Sequence, residues 1–152
     1  MKIRNLSVIL VFIVLICFSI SAAAAREREN TGEKEMQRLT MKIGETPVSV
    51  EWENNGSVAA LEALTAEKPL TIRMSMYGGF EQVGPVGQSL PRNDVQTVTG
   101  SGDIVLYSGN QIVVFYGSNS WAYTRLGHIT DKNPQEMADL LGRGNVTITI
   151  GR

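Results

Sequence analysis

Apolar residues recur along this chain with two different periods. From 39 to 53, Leu39, Met41 and Ile43 alternate with Thr40 and Lys42. Gly44 opens a turn, and Val48, Val50 and Trp52 then alternate with Ser49 and Glu51. A period of two buries one face of a strand, so this segment predicts a β-hairpin. Between 54 and 69 the period lengthens. Val58, Leu61 and Leu64 fall three apart with alanines filling the same side, Ser57 or Asn54 stands where a cap is needed, and Pro69 closes the stretch. That pattern predicts a short amphipathic helix. Leu70, Ile72, Met74 and Met76 return to alternation and predict a strand over 69–76.

Residues 77–96 are rich in Gly and Pro and predict a long irregular loop, a kind of segment that is usually functional or mobile. A strand pair follows over 97–118, with DIVLY (103–107), the turn Ser108-Gly109-Asn110, and QIVVFYG (111–117). The near-continuous apolar runs mark central strands. In WAYTRLGHI (121–129), Trp121, Tyr123 and Arg125 share one face of a strand, and Ala122, Thr124 and Leu126 the other. Asn133 before Pro134, with Met137, Leu140 and Leu141 on one side and Gly142 at the end, predicts a second helix. NVTITIGR (145–152) is the last strand. Strands outnumber helices and turns are frequent. The pattern therefore predicts a mainly β fold, a closed antiparallel β-barrel capped by two short helices.

The N-terminus has a different character. Lys2 and Arg4 precede an apolar stretch that ends in four alanines at 22–25, the form of a secretory signal. Ala23 and Ala25 place cleavage after Ala25, so the protein is expected to be secreted or extracytoplasmic. The alternative is retention of residues 6–25 as a membrane anchor, since the stretch is almost long enough to span a bilayer. The single cysteine, Cys17, lies in the middle of this stretch behind Ile16, which does not suit lipid attachment. A cleaved chain would hold no cysteine and no disulfide framework. Residues 26–38 mix both signs of charge with few apolar side chains and predict a flexible tether, leaving 39–152 as one folded domain. Two of the 14 basic side chains leave with the leader, against 15 acidic ones, so no polybasic surface speaks for nucleic acid.

The folded part resembles the bacterial and archaeal cyclophilin-like domain family, minimal relatives of the cyclophilins. AALEAL (59–64), GDIVLY (102–107), IVVFYG (112–117), YTRLGHI (123–129) and LLGRGNVTITI (140–150) carry the resemblance over about residues 39–152. It implies a barrel of about eight strands with one helix at each end. True cyclophilins are peptidyl-prolyl isomerases. Laid on their pattern, Tyr123 falls where they place an active-site histidine and His128 where they carry a surface lysine. Arg73 stands for their catalytic arginine, while Phe80 and Gln82 only loosely echo the loop that follows it.

The candidate chemistry is modest. A lone histidine and no cysteine in the mature chain leave no familiar zinc set, and no metal or cofactor is expected. GSGD (100–103) is too short for a phosphate loop and opens a strand. Two readings stand. In the first, a non-catalytic binding module takes a small molecule or an extended peptide on Arg73, Phe80, Tyr116, Trp121, Tyr123 and Arg125, gripping by stacking and hydrogen bonds. In the second, the protein is an extracytoplasmic prolyl isomerase. That reaction has a barrier of about 20 kcal/mol and needs only an apolar pocket and a cation near the prolyl nitrogen. Arg73 with Met74 or Met76, Phe80, Phe115 and Tyr123 is the set for it. In both cases the plain alternative is structural: alternation already accounts for the methionines, and Arg125 has carboxylates to pair with. A third reading is an interaction module held by the tether.

Overall fold

A computed structural model of the protein describes residues 39–152. The predicted leader with Cys17 and the predicted tether lie outside the described residues. The chain runs β1 (Thr40–Ile43), β2 (Thr46–Val48), β3 (Val50–Trp52), α1 (Gly56–Leu64), β4 (Leu70–Arg73), β5 (Ser75–Tyr77), β6 (Glu81–Pro85), β7 (Val95–Val98), β8 (Asp103–Tyr107), β9 (Gln111–Phe115), β10 (Ser120–Ile129), α2 (Pro134–Leu141) and β11 (Thr147–Gly151). The fold is mainly β with two short helices.

The strands form two antiparallel sheets, β2-β1-β11-β4 and β3-β10-β8-β9-β6-β5, with β7 also paired to β10. This corrects the expectation of a closed barrel of about eight strands: the ladders are two open sheets. The physical reason lies at two single residues. Ser49 separates β2 from β3 and Met74 separates β4 from β5, so two segments that read as continuous strands each leave one sheet and enter the other. At the second joint the Met74 N–H donates to the Val146 carbonyl at 2.8 Å, extending the β4–β11 register by one residue before the chain crosses to the second sheet.

Both sheets turn one face to a common core. Met41, Ile72, Ile148 and Ile150 come from the first sheet, Ile104, Leu106, Ile112 and Val114 from the second, and Leu61 and Met137 from the helices. The opposite faces of β8 and β9 are covered too. Val105, Val113, Phe115 and Tyr123 form a second buried cluster, with Phe80 and Val83 packed against it. Burial on both faces explains why these strands read as unbroken apolar runs.

Both helices are capped by asparagine. At α2 the Glu136 N–H donates to Asn133 Oδ1 (3.0 Å) and the Asn133 N–H donates to Glu136 Oε2 (2.8 Å), with Pro134 in the first turn. This reciprocal pair satisfies donors that the helix itself cannot. At α1 the cap is Asn55, not Ser57 or Asn54. Its Oδ1 accepts from the Val58 N–H (3.0 Å) while its Nδ2 donates to the Arg125 carbonyl (2.8 Å). Ser57 is taken by the Pro91 carbonyl at 2.6 Å.

The expected loop 77–96 holds a strand. Gly78 and Gly79, with φ of 61° and 74°, turn the chain back so that β6 pairs with β5 and with β9. Gly84 sits inside β6 because a Cβ there would meet Met74 Sδ at 2.5 Å and the Arg73 carbonyl oxygen at 2.9 Å. The glycine and Pro85 that permit this close crossing also hide the strand from its sequence pattern.

Candidate functional site

Alternation along β6 decides which residues face the outside of the second sheet. Gln82 turns inward, where its Nε2 donates to the carbonyls of Leu141 and Gly144, both at 2.7 Å. Glu81 and Val83 turn the other way, opposite Phe115 and Val113 of β9. They stand beside Tyr123 from β10, whose ring meets Phe115 and Tyr107 edge-on at 5.8 and 6.2 Å.

Over this surface opens a cleft of about 670 Å³, with Met76 and Tyr77 of β5 on one side, Trp121 on another, and Glu81, Val113 and Tyr123 among its lining residues. Trp121 and Tyr77 are 56% and 65% exposed, while Tyr123 is 4% exposed. The cleft therefore combines exposed aromatic rims with a buried aromatic wall. The Asn119 amide donates to the Tyr123 hydroxyl at 3.0 Å. Burial, and then the charge of Glu81, push the Tyr123 phenol up, outweighing that hydrogen bond.

Glu81 is the unusual group. It is 6% exposed, and its Oε2 is buried without a hydrogen-bond partner among the described residues. Burial pushes its carboxyl up to about 7. Among the described residues no Lys, Arg or His lines the cleft to offset this. Glu81 does not stand out in the sequence because it falls inside the Gly- and Pro-rich stretch. The available signal was a carboxylate in step with Val83 and flanked by Phe80.

The six residues expected to form one site are divided among several places. Trp121 and Tyr123 line the cleft. Arg125 lines a second hollow of about 470 Å³, shared with Tyr123, and is engaged by carboxylates, at 3.0 Å to Asp103 and 3.4 Å to Glu53. Arg73 is exposed on β4 opposite Thr147 and lines neither cavity. Phe80 packs beneath the outer cluster with its ring edge-on to Tyr77 at 6.3 Å. Tyr116 packs against the main core on the inner side. Of the isomerase set, Met76 and Tyr123 share the cleft, whereas Met74 is 2% exposed in the core, Phe115 is fully buried and Arg73 lies outside the cleft.

His128 is engaged as well. Its Nδ1 lies 2.9 Å from Asp103 Oδ1, the oxygen that Arg125 also reaches. A β-bulge between Arg125 and Gly127 makes this possible, because Arg125 faces Val105 while Gly127 already faces Ile104. Residues three apart on a regular strand point to opposite faces; one extra residue returns both to the same side. Asp103 Oδ2 accepts from the Gly100 N–H at 2.9 Å, so GSGD closes on its own carboxylate.

A family model described as the cyclophilin-like family matches residues 41–151. The chain belongs to the cyclophilin-like family. Two solved structures share its fold. McbB, solved in complex with tryptophan, aligns with a TM-score of 0.56 at 9% identity over 76% of this chain, which spans 44% of the McbB chain. A hypothetical protein from Archaeoglobus fulgidus aligns with a TM-score of 0.52 at 15% identity, covering 77% of this chain and 98% of that one. No curated protein matches the chain.

Proposed function

We propose that this cyclophilin-like protein is an exported binding module that takes a small molecule or a short extended peptide in the outer cleft, without catalysing a reaction on it. The observation that carries this is the cleft itself. Its volume of about 670 Å³ is in the range of small-molecule sites, and it joins aromatic walls to one buried polar group. Tyr123 is the fixed wall and Trp121 the exposed ring able to fold onto a ligand. The complex of McbB with tryptophan suits the small-molecule side of the reading. Export rests on the leader, and detection of a secreted protein shortened by residues 1–25 in a mass measurement is the result expected from it.

The test is a thermal-shift screen on the full chain followed by NMR mapping of the hits. Ligands are expected to move the Trp121 and Tyr123 resonances, and Trp121→Ala is expected to weaken them about tenfold, as loss of an aromatic anchor does. Hits that map elsewhere and ignore Trp121→Ala would remove the basis of this reading. The isomerase reading lacks its cation in the cleft, since Arg73 lies outside it. Accelerated isomerisation of Ala-Pro peptides in a protease-coupled assay would displace the binding reading in its favour.

A further inference from the structure

We infer that Glu81 is the recognition group of the cleft, and that its ligand carries a protonated amine on an aromatic body. This rests on the cleft being a ligand site and names what it selects.

The argument begins from an orphaned atom. Glu81 Oε2 is buried and accepts no hydrogen bond, although the residue lines an open cavity. Buried polar atoms are nearly always paired, because an unmet one forfeits its hydration with no return. Among the described residues no neighbouring element supplies the missing donor. The ionisable groups lining the cavity with Glu81 are Tyr77 from β5, Tyr107 from β8 and Tyr123 from β10, while β9 presents Phe115 opposite it and Val113 and Gln111 to the cavity. None of them is a cation. A charged donor arriving from the cavity would meet the Glu81 carboxylate and neutralise it.

The same walls favour a cationic nitrogen over a neutral one. Trp121, Tyr77, Tyr107 and Tyr123 surround the opening, and aromatic faces attract ammonium groups as well as flat rings. An anionic ligand would meet Glu81 with no compensating cation. The amine has two possible sources, a free aromatic amine or a lysine side chain in a peptide.

Binding should be linked to protons. Glu81 holds its proton up to about pH 7 in the free protein, and pairing with an ammonium requires it to be lost. At pH 6 roughly one tenth of the protein would be ready to form the pair, so affinity should rise about tenfold between pH 6 and pH 8.

The experiment uses the full chain and three indoles of one shape: tryptamine, 3-ethylindole and indole-3-propionate. Calorimetry is run at pH 6 and pH 8 in buffers of different ionisation enthalpy, with NMR on Trp121 and Tyr123 to place each probe. Tryptamine is expected to bind at least tenfold more tightly than 3-ethylindole, to release a proton at pH 6, and to gain about tenfold by pH 8. Indole-3-propionate is expected to bind most weakly. Glu81→Gln should bring tryptamine down to the level of 3-ethylindole and abolish the pH dependence. A capped Trp-Lys dipeptide amide supplies the second source: tighter binding than tryptamine, lost in Glu81→Gln, assigns the amine to a peptide. Equal affinity of tryptamine and 3-ethylindole for the wild-type protein overturns the role of Glu81 and leaves the cleft as a ligand site. If no indole of any charge moves the Trp121 and Tyr123 resonances, the aromatic-amine inference is overturned, and the cleft reading is decided by the wider ligand screen. The discrimination among probes is read on the wild-type protein, so it does not depend on how well the variant folds.

Discussion

Glu81 and Asp103 are carboxylates of nearly equal burial, 6% and 7% exposed, in neighbouring parts of one sheet. Their surroundings are opposite. Burial pushes the Asp103 carboxyl up, but the Gly100 N–H, His128 and Arg125 together outweigh it and hold it below its ordinary value. Glu81 experiences the same push with nothing against it and rises to about 7. Burial by itself therefore does not set the state of a carboxylate; the donors that face it do. Asp103 has its donors from within the chain, so it is a structural group. Glu81 has an open cavity in their place, so it is the group left for something else to meet.

The largest expected effect breaks the satisfied side. Asp103→Asn leaves Arg125 and His128 without their shared anion and should cost about 3 kcal/mol at pH 7 in urea unfolding. The sign of its pH dependence follows from a lowered value. Asp103 contributes its full stability above the ordinary aspartate value of 3.8 and loses it as pH falls through the lowered one, so the variant should lose the acid limb of the stability curve.

Next comes the strand that holds the other carboxylate. Gly84→Ala drives a Cβ into Met74 and the Arg73 carbonyl, and should cost about 2 kcal/mol while disturbing Glu81 and not Asp103. Chemical shifts of the two carboxyl carbons would separate the responses.

Glu81→Gln should act with the opposite sign to Asp103→Asn. The folded value lies above the ordinary 4.5, so the wild-type protein has its full stability below about 4.5 and loses part of it as pH climbs to about 7. The variant should be more stable at pH 8 by roughly 1 to 2 kcal/mol, with a flat profile across that window. The smallest effect belongs to Trp121→Ala. An exposed ring at the cleft rim should leave stability within about 0.5 kcal/mol, which makes it the clean probe for binding.

Local signals carried the elements whose own residues hold them. Asn133, Pro134 and Glu136 announce α2 because a capping box is a short-range device. Ser108 and Gly109 take φ of 52° and 76° at the turn between β8 and β9, and the apolar runs on either side are legible as central strands. Of the ladder Trp121, Tyr123 and Arg125, the first two share the cleft, while Arg125 turns to Asp103 and Glu53. Arg73 stood out through resemblance and as a cation beside the Gly- and Pro-rich stretch, and the structure places it outside the cleft. Strand β6 was not legible, because its Gly84 answers to Met74 and Ile72 where the two sheets meet and not to its own neighbours in sequence.

Period, caps and turn residues determined that this would be a β-rich domain with two capped helices, because those signals act over a few residues. Three matters depended on contacts distant in sequence. Ser49 and Met74 interrupt the ladders and leave two open sheets where uninterrupted alternation predicts one closed wall. A single bulge at Leu126 brings Arg125 and His128 onto Asp103. The return of β6 against β9 carries Glu81 into an aromatic cleft and leaves it without a donor. A residue's type is written in the chain, but the presence or absence of a partner for it is a property of the packed whole.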